Sequence, residues 1–251
     1  MNQDRRSQIV ELINTNGTVK NEELMQKFGI SIETVRRDLD YLEKQGFLEK
    51  VYGGAVKKTL LSIEPSYINR ENVNPREKRA IAYEAEKWIS DGESIFFDLG
   101  TTVLFLAQQL GTEKKINAFT NAVRTAVELS EKGCNVVIPG GNLRAKELSV
   151  SGTLSQETMC KFNVDTAFIG VGGITSEGIS DYIPEEASLR RQIIKNASRV
   201  IVLADYSKFG VRSLCNVCDA EDIDILITDK KAPKQILKEL EKKGIRVILT
   251  K

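Results

Sequence analysis

Short apolar runs that alternate with helical patterns are the feature that most constrains this chain. From Ser94 onward there are seven such runs: SIFFD, INAFT, NVVIP, TAFIGV, RVIVLA, DILIT and RVILT. Helical segments such as VLFLAQQL, AVRTAVELSEK, EEASLRRQIIKNA and KQILKELEKK separate them. Strands that are apolar throughout are typical of a parallel sheet that helices cover on both faces. The sequence therefore predicts an α/β domain built on a parallel, Rossmann-like sheet.

Length and composition leave room for a smaller module before that domain. The chain has 251 residues, of which 41% are hydrophobic and 28% charged, as in soluble globular proteins. No apolar run reaches the roughly 18 residues of a membrane span, and the start MNQDRRSQIV has no signal-peptide core. We therefore expect a cytoplasmic protein with no membrane partner. The net charge of +1 favours no partner, so a nucleic-acid argument depends on where the charges lie.

The chain contains no histidine, which excludes histidine-based catalytic triads and histidine metal ligands. Its cysteines are Cys134, Cys160, Cys215 and Cys218. The CxxC at 215–218 has no second CxxC, so a zinc site would need ligands from elsewhere. We expect reduced, structural thiols that pack in a loop, and no metal or cofactor.

Residues 1–58 predict a winged helix-turn-helix. The patterns indicate helices over Asp4–Asn14 and Asn21–Phe28, and a third that Ser31 caps. This third helix is expected to end near Gln45, with Gly46 as its stop. Leu48–Val51 and Ala55–Val56 then form a hairpin across Tyr52-Gly53-Gly54.

The third helix carries the candidate DNA contacts. Ile32, Val35, Leu39 and Leu42 form one buried stripe, which places Arg37 on the opposite side and Arg36 on the flank. In a winged helix the start of this helix enters the major groove. The residues placed to reach DNA are Ser31, Glu33, Thr34, Arg36 and Arg37, with Lys57 after the hairpin. Periodicity alone equally allows solvated charges on an ordinary three-helix unit.

The stretch ELMQKFGISIETVRRDLDYLEKQGFLEKVYGGA resembles the DNA-binding module of DeoR-type bacterial transcriptional regulators. The resemblance is continuous from about Arg5 to Val56, and its most specific part is RRDL. It implies that Thr34, Arg36 and Arg37 contact DNA and that Asp38 orients an arginine.

The predicted domains are 1–58, a linker over 59–73, and 74–251. Residues 57–73 show neither helical nor alternating periodicity, which favours a mostly extended connector. Asn74-Pro75-Arg76-Glu77 then predicts a helix start, with Asn74 as the cap and Glu77 at the third helical position. This helix is expected to run to about Ile89 and to bury Ile81, Ala85 and Trp88.

Small and polar residues follow several of the predicted strands. Ligands of parallel sheets bind beyond the carboxyl ends of the strands. Exposed backbone amides in glycine-containing loops, hydroxyl groups and helix N-termini can bind a phosphate there. Lys208 adds a positive charge, and three carboxylates are placed to accept hydrogen bonds from sugar hydroxyls. Any one of these strand-end loops alone is better explained as a turn, but five of them at corresponding strand ends favour a ligand pocket. The candidate residues are Asp98, Gly100, Thr101, Thr102, Thr120, Asn121, Gly140, Gly141, Asp181, Glu186 and Lys208.

The motifs DLGTT, TNAV, PGGNLR, FIGVGGI, PEEA…RR and VLADYSKFG resemble the sensor domain of DeoR-type regulators, which itself resembles ribose-5-phosphate isomerase. The resemblance implies a phosphorylated sugar as effector, bound by the candidate residues other than Asp181. The isomerases carry Asp-Gly-Ala-Asp-Glu where this chain has Ile169–Gly173, and many regulators keep an acid at the position of Gly172. Proton transfer between sugar carbons needs a carboxylate base, so we expect no enzymatic turnover.

Together, the two resemblances imply a repressor of a sugar-metabolism operon that a phosphorylated sugar releases from its operator. Its expected partners are double-stranded operator DNA, the sugar phosphate and further copies of itself, as a homodimer or homotetramer. One alternative is a sugar-phosphate isomerase-like enzyme with an accessory helix-turn-helix. Another is a winged helix that binds a protein and accompanies a vestigial pocket.

Overall fold

The computed structural model describes residues 2–44, 47–57 and 64–250, with all of their side chains except those of residues 2–4, 7, 14, 15 and 57. The chain divides into two compact units, residues 1–73 and 74–251. Within the described ranges, no helix combines the length and the apolar character needed to cross a bilayer.

The first unit packs helices on a small antiparallel sheet of order β1-β3-β2. Val35, Leu39 and Leu42 of the third helix are buried, as the predicted stripe requires, together with Ile9, Ile13 and Leu24. Ile32 is only partly buried. The elements are α1 (Asn2–Asn16), β1 (Thr18–Lys20), α2 (Asn21–Phe28), α3 (Ile32–Lys44), β2 (Leu48–Val51), β3 (Gly54–Lys57) and α4 (Tyr67–Asn72).

The strand β1 adds a third member to the predicted hairpin. Val19 is buried and pairs with Ala55, while its two strand neighbours are exposed. A side chain at position 54 would meet the Val19 carbonyl oxygen at 2.0 Å, so the close pairing of β1 and β3 requires Gly54. A strand with one inward residue is too short to show alternation in the sequence.

The connector and the end of the third helix were the two other expectations for this region. The connector was expected to be extended, but Tyr67–Asn72 forms the helix α4, in which the Asn72 amide donates to the Ile68 carbonyl at 2.8 Å. A helix of one to two turns has too few positions to reveal a 3.6-residue period. The predicted helix end at Gln45 and Gly46 lies outside the described residues.

The second unit is the predicted α/β domain. Its elements are α5 (Pro75–Glu86), β4 (Ser94–Phe97), α6 (Thr101–Gln109), β5 (Asn117–Thr120), α7 (Val123–Glu131), β6 (Asn135–Val137), β7 (Asn142–Arg144), β8 (Ser149–Ser151), α8 (Thr153–Met159), β9 (Thr166–Gly170), β10 (Gly173–Thr175), β11 (Gly178–Asp181), α9 (Pro184–Asn196), β12 (Val200–Leu203), β13 (Cys215–Asp219), β14 (Ile225–Thr228), α10 (Lys234–Lys242) and β15 (Arg246–Leu249).

The seven predicted strands form one parallel sheet of order β15-β14-β12-β9-β4-β5-β6. The chain starts in the middle at β4, proceeds outward through β5 and β6, and returns to β9 on the other side of β4. The neighbours β4 and β9 therefore lead to connections in opposite directions. In parallel sheets such a reversal opens a crevice at the carboxyl ends of the two strands.

Both faces of this sheet are buried. Along β4, Phe96 belongs to one apolar cluster, whereas Ile95 and Phe97 belong to the other. The helices α5 and α6 contribute Ile81 and Leu106 to the second cluster, and α9 and α10 contribute to the first. This arrangement explains why the strands are apolar at successive positions.

Smaller elements surround the sheet that the sequence patterns did not predict. The PGGNLR segment, expected as a loop, enters the hairpin β7–β8. The strands β10, β11 and β13 form a separate antiparallel sheet. The CxxC, expected in a loop, therefore lies on β13, where it packs against the core. Each of these strands has only three to five residues, so flanking turn residues dominate the local pattern.

The start of α5 also differs from the expected cap. Asn74 has a φ of 53° and its side chain makes no cap bond. Its amide instead donates to Asp205 Oδ1 at 2.8 Å, and its Oδ1 accepts from the Tyr206 hydroxyl at 3.2 Å. The helix ends at Glu86 rather than Ile89, because Trp88 and Ile89 bond to carbonyls three residues back and close a turn. Trp88 is only partly buried.

Candidate functional sites

The start of α3 presents the predicted polar face. Ser31, Glu33, Arg36 and Arg37 are exposed and Thr34 is half-buried. Ser31 Oγ accepts a hydrogen bond from the Thr34 amide at 3.4 Å, which is the predicted cap. A bond from its own backbone amide and one from Ser31, aided by the charges of Arg36 and Arg37, lower the pKa of Glu33. The helix start therefore carries a net positive, solvent-facing surface.

The two arginines of this face have no salt bridge among the described residues. Asp38, which follows them in the sequence, is only 1% exposed. It accepts from Arg5 Nε at 2.6 Å and from Arg6 Nε at 2.7 Å, both on α1. The carboxylate therefore does orient arginines, but they come from α1 rather than from its own helix. Arg36 and Arg37 remain available to an external anion.

The wing next to α3 is held firmly at its tip. Gly53 has a φ of 83°, and its carbonyl accepts from the Asn21 amide at 2.9 Å. Tyr52 beside it is fully exposed. Lys57 lies at the end of β3, with its side chain outside the described part of the structure.

The candidate effector residues gather at the carboxyl ends of the parallel strands. Asp98 follows β4, Thr120 ends β5 with Asn121 next, and Gly140 and Gly141 follow β6. Asn121 bonds to Val150 through both its backbone carbonyl and its side chain, so β8 borders this edge. Ser155 Oγ donates to the Gly140 carbonyl at 2.7 Å, which brings α8 to the same place.

Glycine and threonine shape the helix start at this edge. Gly100 caps α6 with a φ of 127°, a conformation that residues with a side chain rarely adopt. Thr101 and Thr102 follow in the first turn of α6 and are both buried. Backbone amides at such a helix start have no partner within the helix and suit an anionic group.

A buried ionic cluster lies behind this edge. Arg190 on α9 donates to Asp98 Oδ2 at 2.6 Å and also pairs with Asp181. The Gly170 amide donates to the same oxygen of Asp98 at 3.0 Å, which joins the ends of β4 and β9. Burial raises the pKa of Asp98 to about 6, although the charge of Arg190 opposes this. The two carboxylates raise the pKa of Arg190 against the effect of burial.

A second buried carboxylate connects α9 to the hairpin β7–β8. Glu186 Oε1 accepts from Ser149 Oγ at 2.8 Å and pairs with Arg144. Oε2 of Glu186 and Oδ1 of Asn121 are buried with no hydrogen-bond partner among the described residues. Unpaired buried oxygens of this kind are costly unless a further donor reaches them. Asp98 Oδ1 at the same edge is likewise buried without a hydrogen-bond partner among the described residues, so these three oxygens are the acceptors at this edge best suited to a hydroxyl donor.

Lys208 belongs to a separate group after β12. It lies in a 3-10 turn, Tyr206–Lys208, that Asp205 caps by accepting from the Ser207 amide at 3.1 Å. Burial would raise the pKa of Asp205, but the charges of Lys78 and Lys208 hold it below its ordinary value. Among the described residues no side-chain hydrogen bond joins Lys208 to the Arg190 cluster. The structure thus divides the predicted site residues between two neighbouring groups.

Several residues at this edge were not identified from the sequence. Arg144, Ser149 and Arg190 hold the carboxylates, and Lys78 faces Asp205. Arg144 and Arg190 do occur in the quoted PGGNLR and PEEA…RR motifs, so the signal was present. Their partners lie from 9 to 92 residues away along the chain, a separation that no local pattern reports.

Gly172 lies in a closely packed environment. A Cβ at Gly172 would lie 2.9 Å from both the Ser213 hydroxyl and the Tyr182 ring. A residue with a side chain at position 172 would therefore require its neighbours to shift.

The described residues contain no His, Cys, Asp or Glu group arranged to hold a metal ion. Both cysteines lie on β13, which pairs with β11: Cys215 lies opposite Asp181, and Cys218 lies opposite Ile179. Burial and the charges of Asp222 and Asp219 raise the pKa of Cys218 to about 12, which keeps the thiol protonated.

Two family models match the chain. Residues 5–59 match the DeoR-like helix-turn-helix domain, and residues 73–230 match the DeoR C terminal sensor domain. The HTH-type transcriptional regulator GlpR of Haloferax volcanii is 34% identical over 246 residues, which cover 98% of this chain and 96% of that protein. The glycerol-3-phosphate regulon repressor of Escherichia coli K12 is 29% identical over 247 residues, 98% of each chain.

Among solved structures, ribose 5-phosphate isomerase A of Methanocaldococcus jannaschii aligns with 54% of this chain and 55% of its own. The TM-score is 0.41 and the identity 19%, so this overlap supports no conclusion about function. The two family models together span most of the chain, and relatives that are named as transcriptional regulators match it almost end to end. The chain therefore belongs to the DeoR family of DNA-binding transcriptional regulators.

Proposed function

We propose that this protein represses a sugar-metabolism operon and leaves its operator when a phosphorylated sugar binds the second unit. The observation that supports the DNA half best is the exposed pair Arg36 and Arg37 on a capped helix, without a salt bridge among the described residues. The proposed contacts are Ser31, Glu33, Thr34, Arg36, Arg37 and Lys57. Arginine at such a position grips phosphate or reads guanine in the major groove. Operator DNA as the partner implies a cytoplasmic protein.

The effector half rests on the edge formed by β4, β5, β6 and β9. Gly100, Thr101 and Thr102 at the start of α6 are proposed to hold the phosphate. The unpaired oxygens of Glu186 and Asn121 are proposed to accept sugar hydroxyls. Asp98 and Asp181 act through Arg190, and Thr120, Gly140, Gly141 and Lys208 complete the pocket. The name of the E. coli relative, a glycerol-3-phosphate regulon repressor, is consistent with a small phosphorylated effector.

Regulation requires that the sugar phosphate bind the DNA-free form more tightly than the DNA-bound form, because equal affinities shift no equilibrium. A homodimer or homotetramer is proposed because two half-sites raise operator affinity. The proposed domain limits are 1–58 and 74–251, joined by 59–73.

Thermal unfolding of the full chain against a panel of pentose, hexose and triose phosphates tests the effector half. A compound that binds the native state raises the midpoint by mass action. Inorganic phosphate and the unphosphorylated sugars are the controls. Thr102→Ala should abolish the shift while the unliganded midpoint stays close to that of the wild type. If no phosphorylated sugar shifts the midpoint, the effector proposal is wrong.

A further inference from the structure

One arginine outside the proposed DNA contacts is held on two sides. Arg6 on α1 donates from Nε to the buried Asp38 at 2.7 Å. Its guanidinium carbon lies 3.9 Å from the centre of the Tyr41 ring. Among the described residues, the two Nη groups of Arg6 have no hydrogen-bond partner. The guanidinium is therefore held by Asp38 at Nε and by the Tyr41 ring against one face, while its two Nη groups can still donate hydrogen bonds.

The position of this arginine relates it to the proposed DNA face. Thr34, Arg37 and Tyr41 are spaced three and four apart on α3, so they share one side of the helix. Tyr41 lies about 10 Å beyond Thr34 at a rise of 1.5 Å per residue. The major groove is about 12 Å wide. When the Thr34 end of α3 lies in the groove, the Tyr41 end and Arg6 therefore reach its rim, where the phosphates are.

The partners of Arg6 make it suited to a phosphate contact. A guanidinium that already has a fixed orientation loses less side-chain entropy when it binds. Asp38 is 1% exposed and accepts from both Arg5 and Arg6, so it is placed to orient these arginines rather than to meet DNA itself. Tyr41 is 40% exposed, which leaves the stacked pair open to solvent.

We propose that Arg6 is a preorganised contact to the DNA backbone and that Asp38 is the residue that positions it. The occupant is the sugar-phosphate backbone of duplex DNA at the rim of the groove that α3 enters. This inference rests on the proposed DNA-contacting face of α3.

The charge of Asp38 separates this role from a merely structural one. Asp38→Asn removes a negative charge close to the DNA, which by simple Coulomb attraction would strengthen binding. If Asp38 positions Arg6, the same change weakens binding. Asp40→Asn is the matched control, because Asp40 lies on the same helix and is partly exposed, paired with Lys50. Its loss should leave DNA affinity unchanged or raise it.

The experiment measures binding of the full chain to a duplex of mixed sequence over a series of salt concentrations. Loss of a phosphate contact weakens binding by a similar amount for every DNA sequence, so the operator is not needed. Arg6→Ala should lower affinity about tenfold and reduce the slope of log K against log salt by about one. Asp38→Asn should also lower the affinity and reduce the salt slope. Its effect on affinity should be much smaller when Arg6→Ala is already present.

A second variant keeps the test decisive if Asp38→Asn does not fold. Tyr41→Ala removes the ring beneath Arg6 without disturbing a buried carboxylate, and should weaken binding several-fold. Tyr41→Phe keeps the ring and should bind like the wild type.

If the wild type binds normally and Arg6→Ala leaves the salt slope unchanged, the inference about Arg6 is wrong, while the proposed DNA interface of α3 still stands. Tighter binding by folded Asp38→Asn would overturn the positioning role. If the wild type itself fails to bind the duplex at low salt, the DNA interface of α3 is wrong and this inference falls with it.

Discussion

The two units use arginine in opposite ways. On α3, Arg36 and Arg37 are exposed and, among the described residues, have no salt bridge. In the second unit, Arg190 is 3% exposed and is shared by Asp98 and Asp181. An exposed arginine contributes little to folding and is free to bind an external anion. A buried, paired arginine stabilises its surroundings because its loss leaves carboxylates without a partner.

The comparison separates two kinds of candidate site residue. Substitutions of the exposed arginines on α3 should change DNA binding and leave folding nearly intact. Substitutions in the buried cluster should change folding first, and any effect on effector response must be judged after that. Four substitutions test this separation, beginning with the one of largest expected effect.

Arg190→Met should lower the free energy of unfolding of the second unit by about 3–5 kcal/mol, because Asp98 and Asp181 stay buried without their cation. Urea unfolding followed by the fluorescence of Trp88, the one tryptophan, reports on this unit. Arg191→Met is the control, since Arg191 is an exposed neighbour on α9, and should cost less than about 1 kcal/mol. Equal losses in the two variants would contradict the distinction.

The pH dependence of stability should reveal Asp98. Its pKa is raised from 3.8 to about 6 in the folded protein. The folded state therefore binds the carboxyl proton of Asp98 more tightly than the unfolded state does. The stability that this proton contributes is present below about pH 4 and is lost as the pH rises through about 6. Relative to Asp98→Asn, the free energy of unfolding of the wild type should fall by up to about 3 kcal/mol over this range.

Urea titrations of both proteins at successive pH values measure that difference. The groups that face Asp98 are Arg190, Asp181 and the backbone amides of Leu99 and Gly170, and both proteins contain them. A difference that is constant with pH, or that grows more favourable to the wild type as the pH rises, would contradict a raised pKa of Asp98 in the folded protein.

Arg37→Ala should weaken operator binding by about 1–3 kcal/mol if the guanidinium contacts a base. The unfolding free energy should change by less than about 0.5 kcal/mol, because Arg37 is exposed and has no salt bridge among the described residues. Fluorescence anisotropy with operator DNA and urea unfolding measure the two quantities. Lys44→Ala, an exposed cation in the last turn of the same helix, is the control. Unchanged binding would remove Arg37 from the interface.

Ser31→Ala has the smallest expected effect and tests whether the cap positions the DNA face. Loss of the bond to the Thr34 amide should destabilise the first unit by about 1 kcal/mol. Circular dichroism of the full chain in urea measures this loss. If Ser31 also contacts DNA, binding falls by more than the change in folding explains. Binding that stays at the wild-type level would assign Ser31 to capping alone.

The sequence was informative where many residues repeat one pattern. The parallel strands and α3 were predicted because several apolar positions in each share a face or fill a buried strand. The strand β1 and the helix α4 were not, since each has too few residues to show a period. The partners of Asp38 were also missed, because Arg5 and Arg6 lie 33 and 32 residues earlier and only folding brings them to Asp38.

Long-range contacts also limited the prediction at the edge of the sheet where the effector is proposed to bind. Strand ends identified Asp98, Thr101 and Asn121 as a group, because parallel strands bring their carboxyl ends to one side of the sheet. The arginine that occupies Asp98 lies on α9, 92 residues further along the chain. Whether a carboxylate faces a ligand or a buried arginine depends on such long-range packing, which the local sequence does not encode.

The most direct test of the account is operator binding with and without the sugar phosphate that raises the unfolding midpoint. The full chain is titrated into labelled operator DNA, at fixed salt, with the unphosphorylated sugar as control. The account predicts tight binding that weakens severalfold or more when the sugar phosphate saturates the second unit. Operator affinity that stays the same at saturation would contradict it, because a bound ligand without differential affinity regulates nothing.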